Sequence, residues 1–164
     1  EAALIDAGCG RAHRRLVDNV AEVLPAGVNI SYLLLTHCHF DHTGGAEAAR
    51  KQYGCRIAAH SLDAVYLQDG NSQVTAASWY GAQMPILAVD EIFSDSPRVF
   101  EVGSGKIRAQ HCPGHTPGSV AYIAALQSQT ILFGQDIHGP LHASFFSDQA
   151  DYRRSLEKLL ELKF

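Results

Sequence analysis

Within the six positions His37-Cys38-His39-Phe40-Asp41-His42, three histidines and an aspartate offer ligands to a metal ion. His37 and His39 are separated by one residue, so on an extended or turning backbone their imidazoles can lie on the same side and hold one ion together. Asp41 adds a hard oxygen and His42 a further imidazole, and packing that many polar groups closely is costly without a cation. The plainer alternative is a solvated polar loop. His115 sits in Pro113-Gly114-His115-Thr116-Pro117-Gly118, where the flanking Pro and Gly residues fix a turn and expose one side chain, a suitable third imidazole for the same ion. Taken alone, a turn histidine is more often ordinary surface; beside the first cluster the ligand reading gains. Asp136 follows an apolar run ending at Gly134, and a carboxylate there is placed to bridge two ions, the plainer reading being an Asp that caps a turn.

Such residues need a rigid frame, and the surrounding pattern supplies one. Tyr32 to Leu35 is a short apolar run of the kind buried on both faces of a sheet, and it delivers the chain into the histidine cluster. Ala12 to Leu24 places Leu16, Val17, Val20, Val23 and Leu24 at helical spacing, with Pro25 as a stop signal, so an amphipathic helix is predicted to cover a sheet. Ala46 to Tyr53 is predicted as helix, with Glu47 early, Arg50 and Lys51 late and Gly54 at its end, charges that complement the helix dipole. Arg56 to His60 is predicted as strand and Ser61 to Gln68 as helix, closed by Gly70, which makes an alternation of strand and helix. From Asn71 to Asp95 the periodicity fades, and a helical excursion or lid is expected. Four strands are predicted next, over Arg98 to Val102, Lys106 to Cys112, Ser119 to Leu126 and Thr130 to Gly134, consecutive and antiparallel, with a polar turn before the last. An amphipathic helix carrying Tyr152, Leu156, Leu159 and Leu160 follows, ending in Leu162, Lys163 and Phe164. Ala2 to Ile5 looks like a strand already under way.

Composition limits what this frame can serve. The 164 residues are 46% hydrophobic, enough for one globular domain over residues 1–164 with its own core. Thirteen Lys+Arg against seventeen Asp+Glu give a net charge of -4 without long runs, so no basic stripe tracks a phosphate backbone, and nucleic acid is not an expected partner. No apolar run approaches the roughly 20 residues that span a bilayer, so no membrane is expected either. Cys9, Cys38, Cys55 and Cys112 show no close pairing and are expected as reduced thiols, which favours the cytoplasm. Cys38 and Cys112 lie beside ligand candidates but face the other way on extended backbone, as packing residues. His60 is expected as a hydrogen-bonded core residue, His13 and His111 as ordinary, and Trp79, Tyr80 and Met84 as core more readily than as pocket wall.

Taken together, these segments resemble the metallo-β-lactamase superfamily. Thr36-His37-Cys38-His39-Phe40-Asp41-His42-Thr43-Gly44-Gly45, Pro113-Gly114-His115-Thr116-Pro117-Gly118-Ser119 and Phe133-Gly134-Gln135-Asp136 resemble its successive metal motifs in order and spacing, and Leu4-Ile5-Asp6-Ala7-Gly8 its early strand and turn. The resemblance implies an α/β fold, an αββα sandwich of four layers with two mixed sheets flanked by helices. It implies a first metal on His37, His39 and His115, a second on Asp41 and His42, and Asp136 between them. The ions implied are one or two Zn2+, with Fe or Mn as other occupants. The family's further histidine from a loop near the C-terminus has no counterpart, His138 and His142 are expected to flank the cleft, and the early β-hairpin is mostly absent. The sequence is therefore expected to be an incomplete domain, trimmed at both ends, whose exposed sheet edges favour a homodimer.

An ion held by three neutral imidazoles keeps an open coordination position and lowers the pKa of water there to about 7. The leading expectation is an enzyme that hydrolyses a small-molecule ester, thioester, lactone or lactam, similar to the hydroxyacylglutathione hydrolase-like and lactonase-like members, with Asp41 orienting the nucleophile and accepting a proton. A β-lactam is disfavoured, because the best-known members of that branch carry a cysteine where this sequence has Asp136. The alternatives are a mononuclear iron persulfide dioxygenase using His37, His115 and Asp136 as a facial triad, a nucleic-acid-processing relative, which the charge disfavours, and an inactive metal-poor fragment.

Overall fold

Two four-stranded sheets face each other in the computed structural model, which describes residues 1–94, 96–126 and 129–162. The first sheet has the order β1-β2-β3-β4, formed by Ala2–Ile5, Ile30–Leu34, Arg56–His60 and Glu91–Phe93, and every pairing in it is parallel. The second, β5-β6-β7-β8, is an antiparallel meander of Arg98–Val102, Gly105–His111, Val120–Leu126 and Gln129–Phe133. Each sheet is uniform in direction, so the mixture of parallel and antiparallel pairing lies between the sheets. Helices α1 (His13–Val23), α2 (Phe40–Thr43), α3 (Ala46–Tyr53), α4 (Ser61–Gln68) and α5 (Gln149–Leu160) complete the layers.

Strand periodicity explains the order of those layers. Successive side chains point to opposite faces. Leu33, Leu35, Ile57 and Ala59 therefore turn to one side and pack with Ala46, Ala49, Ala64 and Leu67 from α3 and α4. Their neighbours Leu34 and Ala58 turn to the other and meet Phe100, Ala109, Val120 and Tyr122 of the second sheet. A strand buried on both faces must be apolar at every position, which is the property of the Tyr32 to Leu35 run. On the outer face of the second sheet Cys112 and Ala121 pack with Leu159 of α5. Among the described residues no helix is long and apolar enough to cross a membrane.

The segment after α4 departs from the expected helical excursion. Helical geometry is confined there to one 3₁₀ turn, Ala77–Tyr80, after which the chain runs without regular structure until β4 joins the edge of the parallel sheet beside β3. Pro85 removes a backbone donor that a helix would need, and a strand of three residues is too short to carry a recognisable alternation. Asp95, Gln127 and Ser128 of the expected polar turn, and the final residues Lys163 and Phe164 lie outside the described residues.

Helix α5 is docked on the turn that presents His115. Ser155 Oγ donates to the Pro113 carbonyl at 2.7 Å, and the Asp148 amide, at the helix N-cap, donates to the Gly114 carbonyl at 2.9 Å. Gly114 itself has φ +133, and a Cβ there would stand 2.3 Å from the Tyr152 backbone. Gly114→Ala is therefore expected to cost about 2–4 kcal/mol, combining backbone strain with overpacking. The check is urea denaturation: the midpoint falls with the slope unchanged, and an unaltered midpoint would mean that α5 does not press on the turn.

Candidate metal centre

Every site residue singled out in the sequence arrives at one rim of the sandwich. Strand β2 ends at Leu34, and the chain passes through Leu35 and Thr36 into His37 and His39; Asp41 and His42 then ride on the single turn of α2. The turn between β6 and β7 carries His115, and the segment after β8 carries Asp136. His37, His39, His115 and Asp136 offer ligand atoms that all lie within 4.8 Å of one another, and the three imidazoles are 3% exposed or less.

The hydrogen bonds around the rings decide which nitrogens face inward. Thr36 Oγ1 donates to Asp6 Oδ2 at 2.7 Å, so at 3.0 Å from His37 Nδ1 it accepts the proton of that nitrogen, and Nε2 keeps its lone pair. His115 Nδ1 lies 3.0 Å from the Pro140 carbonyl, which can only accept, and Nε2 again keeps the lone pair. That Nε2 lies 3.0 Å from His39 Nδ1. His37 Nε2 is buried with no hydrogen-bond partner. An unsatisfied buried polar atom costs on the order of 1–3 kcal/mol, and a cation among these donors removes that cost. Three imidazoles and a carboxylate are the donor set of a divalent-metal centre.

Asp136 divides its carboxylate between two groups. Its Oδ2 is 3.4 Å from His115 Nε2 and its Oδ1 is 3.4 Å from His42 Nε2. His42 Nε2 is also 3.6 Å from Asp41 Oδ2. Asp41 and His42 thus lie beside Asp136, next to the group formed by His37, His39, His115 and Asp136. His138 and His142 are exposed, and His142 packs edge-on against Trp79, a cleft residue, with ring centroids 5.2 Å apart.

The surroundings set the charge of each ring. Burial, reinforced by repulsion from the neighbouring histidines, holds His37 well below its ordinary value and His39 down to about 3. Burial acts the same way on His42, but hydrogen bonds to Asp136 and Asp6 outweigh it and raise that ring to about 10. The close His115 and His42 rings keep the Asp136 carboxyl well below the usual carboxylate range.

Two carboxylates were not distinguished as site residues in the sequence. Asp6, just past β1, accepts from the Thr36 amide at 2.8 Å, from Thr36 Oγ1 and from His42 Nδ1 at 2.7 Å, so it orients two rings through one side chain. Asp63, in the first turn of α4, is 1% exposed and accepts hydrogen bonds from Cys38, Thr116 and Gly118. A positive φ of 59° at Asp6 leaves no mark in the sequence, and an acidic residue at a helix start is ordinarily read as a dipole partner. Trp79 and Tyr80 were expected in the core but are 56% and 39% exposed, and with Phe145 they wall a cleft of about 120 Å3 against His39, Asp41 and Asp136. Met84 is core, as are Cys38 and Cys112. His60 is buried and stacks on His111 with centroids 4.0 Å apart.

The family model of the metallo-beta-lactamase superfamily matches residues 1–164. The chain belongs to the metallo-beta-lactamase superfamily. Its fold superposes on the native metallo-beta-lactamase of Legionella gormanii with a TM-score of 0.82 at 20% identity, over 98% of this chain and 65% of that one. An uncharacterized protein of Mycobacterium leprae is 29% identical over 143 residues, 80% of this chain and 64% of the relative. A hydroxyacylglutathione hydrolase of Haemophilus influenzae is 30% identical over 123 residues, 74% of this chain and 55% of the relative. The chain thus spans between about half and two-thirds of the length of these superfamily members.

The opposite shifts within this metallo-beta-lactamase site give the metal-free protein a stability maximum near neutrality. His37 and His39 have folded values below the unfolded value of 6.5, so their contribution is present above 6.5 and is lost as the pH falls, by about 1.4 kcal/mol per unit for each ring. His42 is raised, so its contribution is complete below 6.5 and is lost as the pH rises toward about 10. Denaturation of chelator-treated protein from pH 4 to 9 should show stability falling on both sides of roughly 6.5; a monotonic rise to pH 9 would contradict the placement of His42.

Proposed function

We propose that this chain forms the metal centre of a hydrolase that cleaves a small ester, thioester or lactone, with one or two zinc ions held by His37, His39, His115, Asp136, Asp41 and His42. The observation that carries this reading is the Asp136 carboxylate, whose Oδ2 lies 3.4 Å from His115 Nε2 and whose Oδ1 lies 3.4 Å from His42 Nε2, which supports a bridging role between two ions. A divalent ion bound there polarises a carbonyl and lowers the pKa of water toward about 7. His37, His39 and His115 supply neutral donors, because burial and their mutual proximity disfavour protonation of His37 and His39, while the Pro140 carbonyl fixes the tautomer of His115.

The remaining groups govern access and protons. Asp41 lines the cleft, which supports a role for its carboxylate in orienting the attacking water and taking its proton. Burial and the nearby Asp41 carboxylate push the Tyr80 phenol up, so Tyr80 stays protonated at neutral pH. A cleft of about 120 Å3 holds only roughly four water-sized groups at ~30 Å3 each, which supports a small acyl group. The four free thiols support a cytoplasmic setting. Support by similarity comes from the hydroxyacylglutathione hydrolase of Haemophilus influenzae.

The test is metal content by mass spectrometry on protein purified without chelator, followed by assay against thioesters, lactones and aryl esters. Zinc near two equivalents with turnover is expected, and His37→Ala with His115→Ala should lose the metal and cut kcat/KM by at least 10³-fold, the scale of losing a metal-activated nucleophile. Absence of turnover on every such ester by the zinc-loaded protein overturns the hydrolase reading. Iron with oxygen uptake on a persulfide would replace it with the dioxygenase.

A further inference from the structure

Asp63 makes three hydrogen bonds, and all three partners lie in the two motifs that carry the buried imidazoles. Its Oδ2 accepts from the Cys38 amide at 2.8 Å and from Thr116 Oγ1 at 2.6 Å, and its Oδ1 accepts from the Gly118 amide at 2.7 Å. Cys38 is the residue between His37 and His39, and Thr116 directly follows His115. One carboxylate, from a helix that contributes no ligand, therefore ties the first motif to the second. Hydrogen bonds to an ionised acceptor are shorter and roughly twice as strong as neutral ones, and the three distances here are at that short end.

The fit is also steric. A Cβ on Gly118 would stand 2.6 Å from the Asp63 carboxyl carbon, its Oδ1 and its backbone nitrogen. The turn carrying His115 can reach Asp63 only because position 118 has no side chain. Burying a carboxylate that has only neutral donors around it is expensive, and burial indeed pushes the Asp63 carboxyl up. An apolar residue would fill the same space more cheaply but would leave the Cys38 and Gly118 amides without partners and the Thr116 hydroxyl with Ser119 Oγ alone.

We infer that Asp63 is a positioning residue that sets the separation between the His37/His39 pair and His115, and through it the affinity of the first metal position. It touches neither the ion nor the substrate. The inference rests on the metal centre proposed above, though not on which substrate is hydrolysed.

Cobalt titration followed by visible spectroscopy tests it, because the d–d bands report ligand geometry directly and need no turnover. Asp63→Asn keeps one acceptor oxygen and turns an NH2 group toward a donor; Gly118→Ala pushes the turn off an intact Asp63. Both variants are expected to bind Co2+ about 10–100-fold more weakly than the parent, the usual cost of losing a partner behind a metal ligand, with altered d–d bands and an unchanged far-ultraviolet circular dichroism spectrum. Should either fail to fold, Thr116→Val removes one of the three hydrogen bonds at nearly constant volume and is expected to weaken Co2+ binding in the same direction. Cobalt affinity and bands equal to the parent's in the folded variants, even with a lower melting temperature of the apoprotein, would overturn the inference and leave Asp63 a brace of the fold alone. If the parent itself binds no cobalt, the metal centre and the positioning role fall together; parent binding without hydrolysis leaves the positioning role standing and removes only the proposed reaction.

Discussion

Three imidazoles and a carboxylate converge in the interior with their acceptor atoms within 4.8 Å of one another, and the rest of the structure answers to that crowding. Neutral rings brought this close turn lone pairs toward each other and away from water. The folded chain therefore has to hold them in place by contacts made elsewhere. Each ring is fixed from behind: His37 by Thr36, His115 by the Pro140 carbonyl, His42 by Asp6. For His37 and His115 these outer contacts select the tautomer, so the inward nitrogen is an acceptor before any ion arrives.

The sandwich makes such bracing possible because the ligands leave it at strand ends. Residues in a strand are held by ladder hydrogen bonds on both sides, whereas the residues just beyond are free to turn toward each other. Leu34 and Leu35 stay locked in the core while His37 and His39 turn across the rim. Tyr122, in the middle of β7, donates its hydroxyl to the Leu35 carbonyl at 2.9 Å and links the two sheets directly beneath the first motif. Helix α5 and the Ser147 hydroxyl, which donates to the His115 carbonyl at 2.7 Å, hold the second motif from outside. Stability and site geometry thus draw on the same contacts, and substitutions in the braces move both.

The ligands and the strands that deliver them were legible in the sequence because each rests on local pattern: imidazole spacing, a Pro/Gly-fixed turn, apolar runs of the right length. The braces were not, because they depend on contacts between distant segments. Asp6 looks like any acidic residue in a turn, yet it meets Thr36 and His42, residues 30 and 36 positions away. Asp63 looks like a helix-start acid and meets Thr116, 53 positions away. The stretch around Trp79 misled for a related reason. Large aromatics usually mark core, and nothing local says that the 3₁₀ turn at Ala77–Tyr80 would hold Trp79 out at the rim.

That rim placement makes chemical sense of an otherwise costly exposure. The cleft has one wall of acceptors, His39, Asp41, His115 and Asp136, and an opposite wall of Trp79, Tyr80, Pro140 and Phe145. Phe145 is 1% exposed and packs on His39 with ring centroids 4.3 Å apart, so the aromatic wall continues directly from the ligands. Apolar surface this close to a polar cluster lowers the local dielectric and strengthens every charge interaction within it. The same surface also faces whatever enters the cleft. A group that is small and uncharged loses little water on entering, while a bulky or ionised one meets no cationic side chain among those lining the cleft. The acceptor wall and the aromatic wall therefore make different demands, one for a cation and one for a compact apolar group.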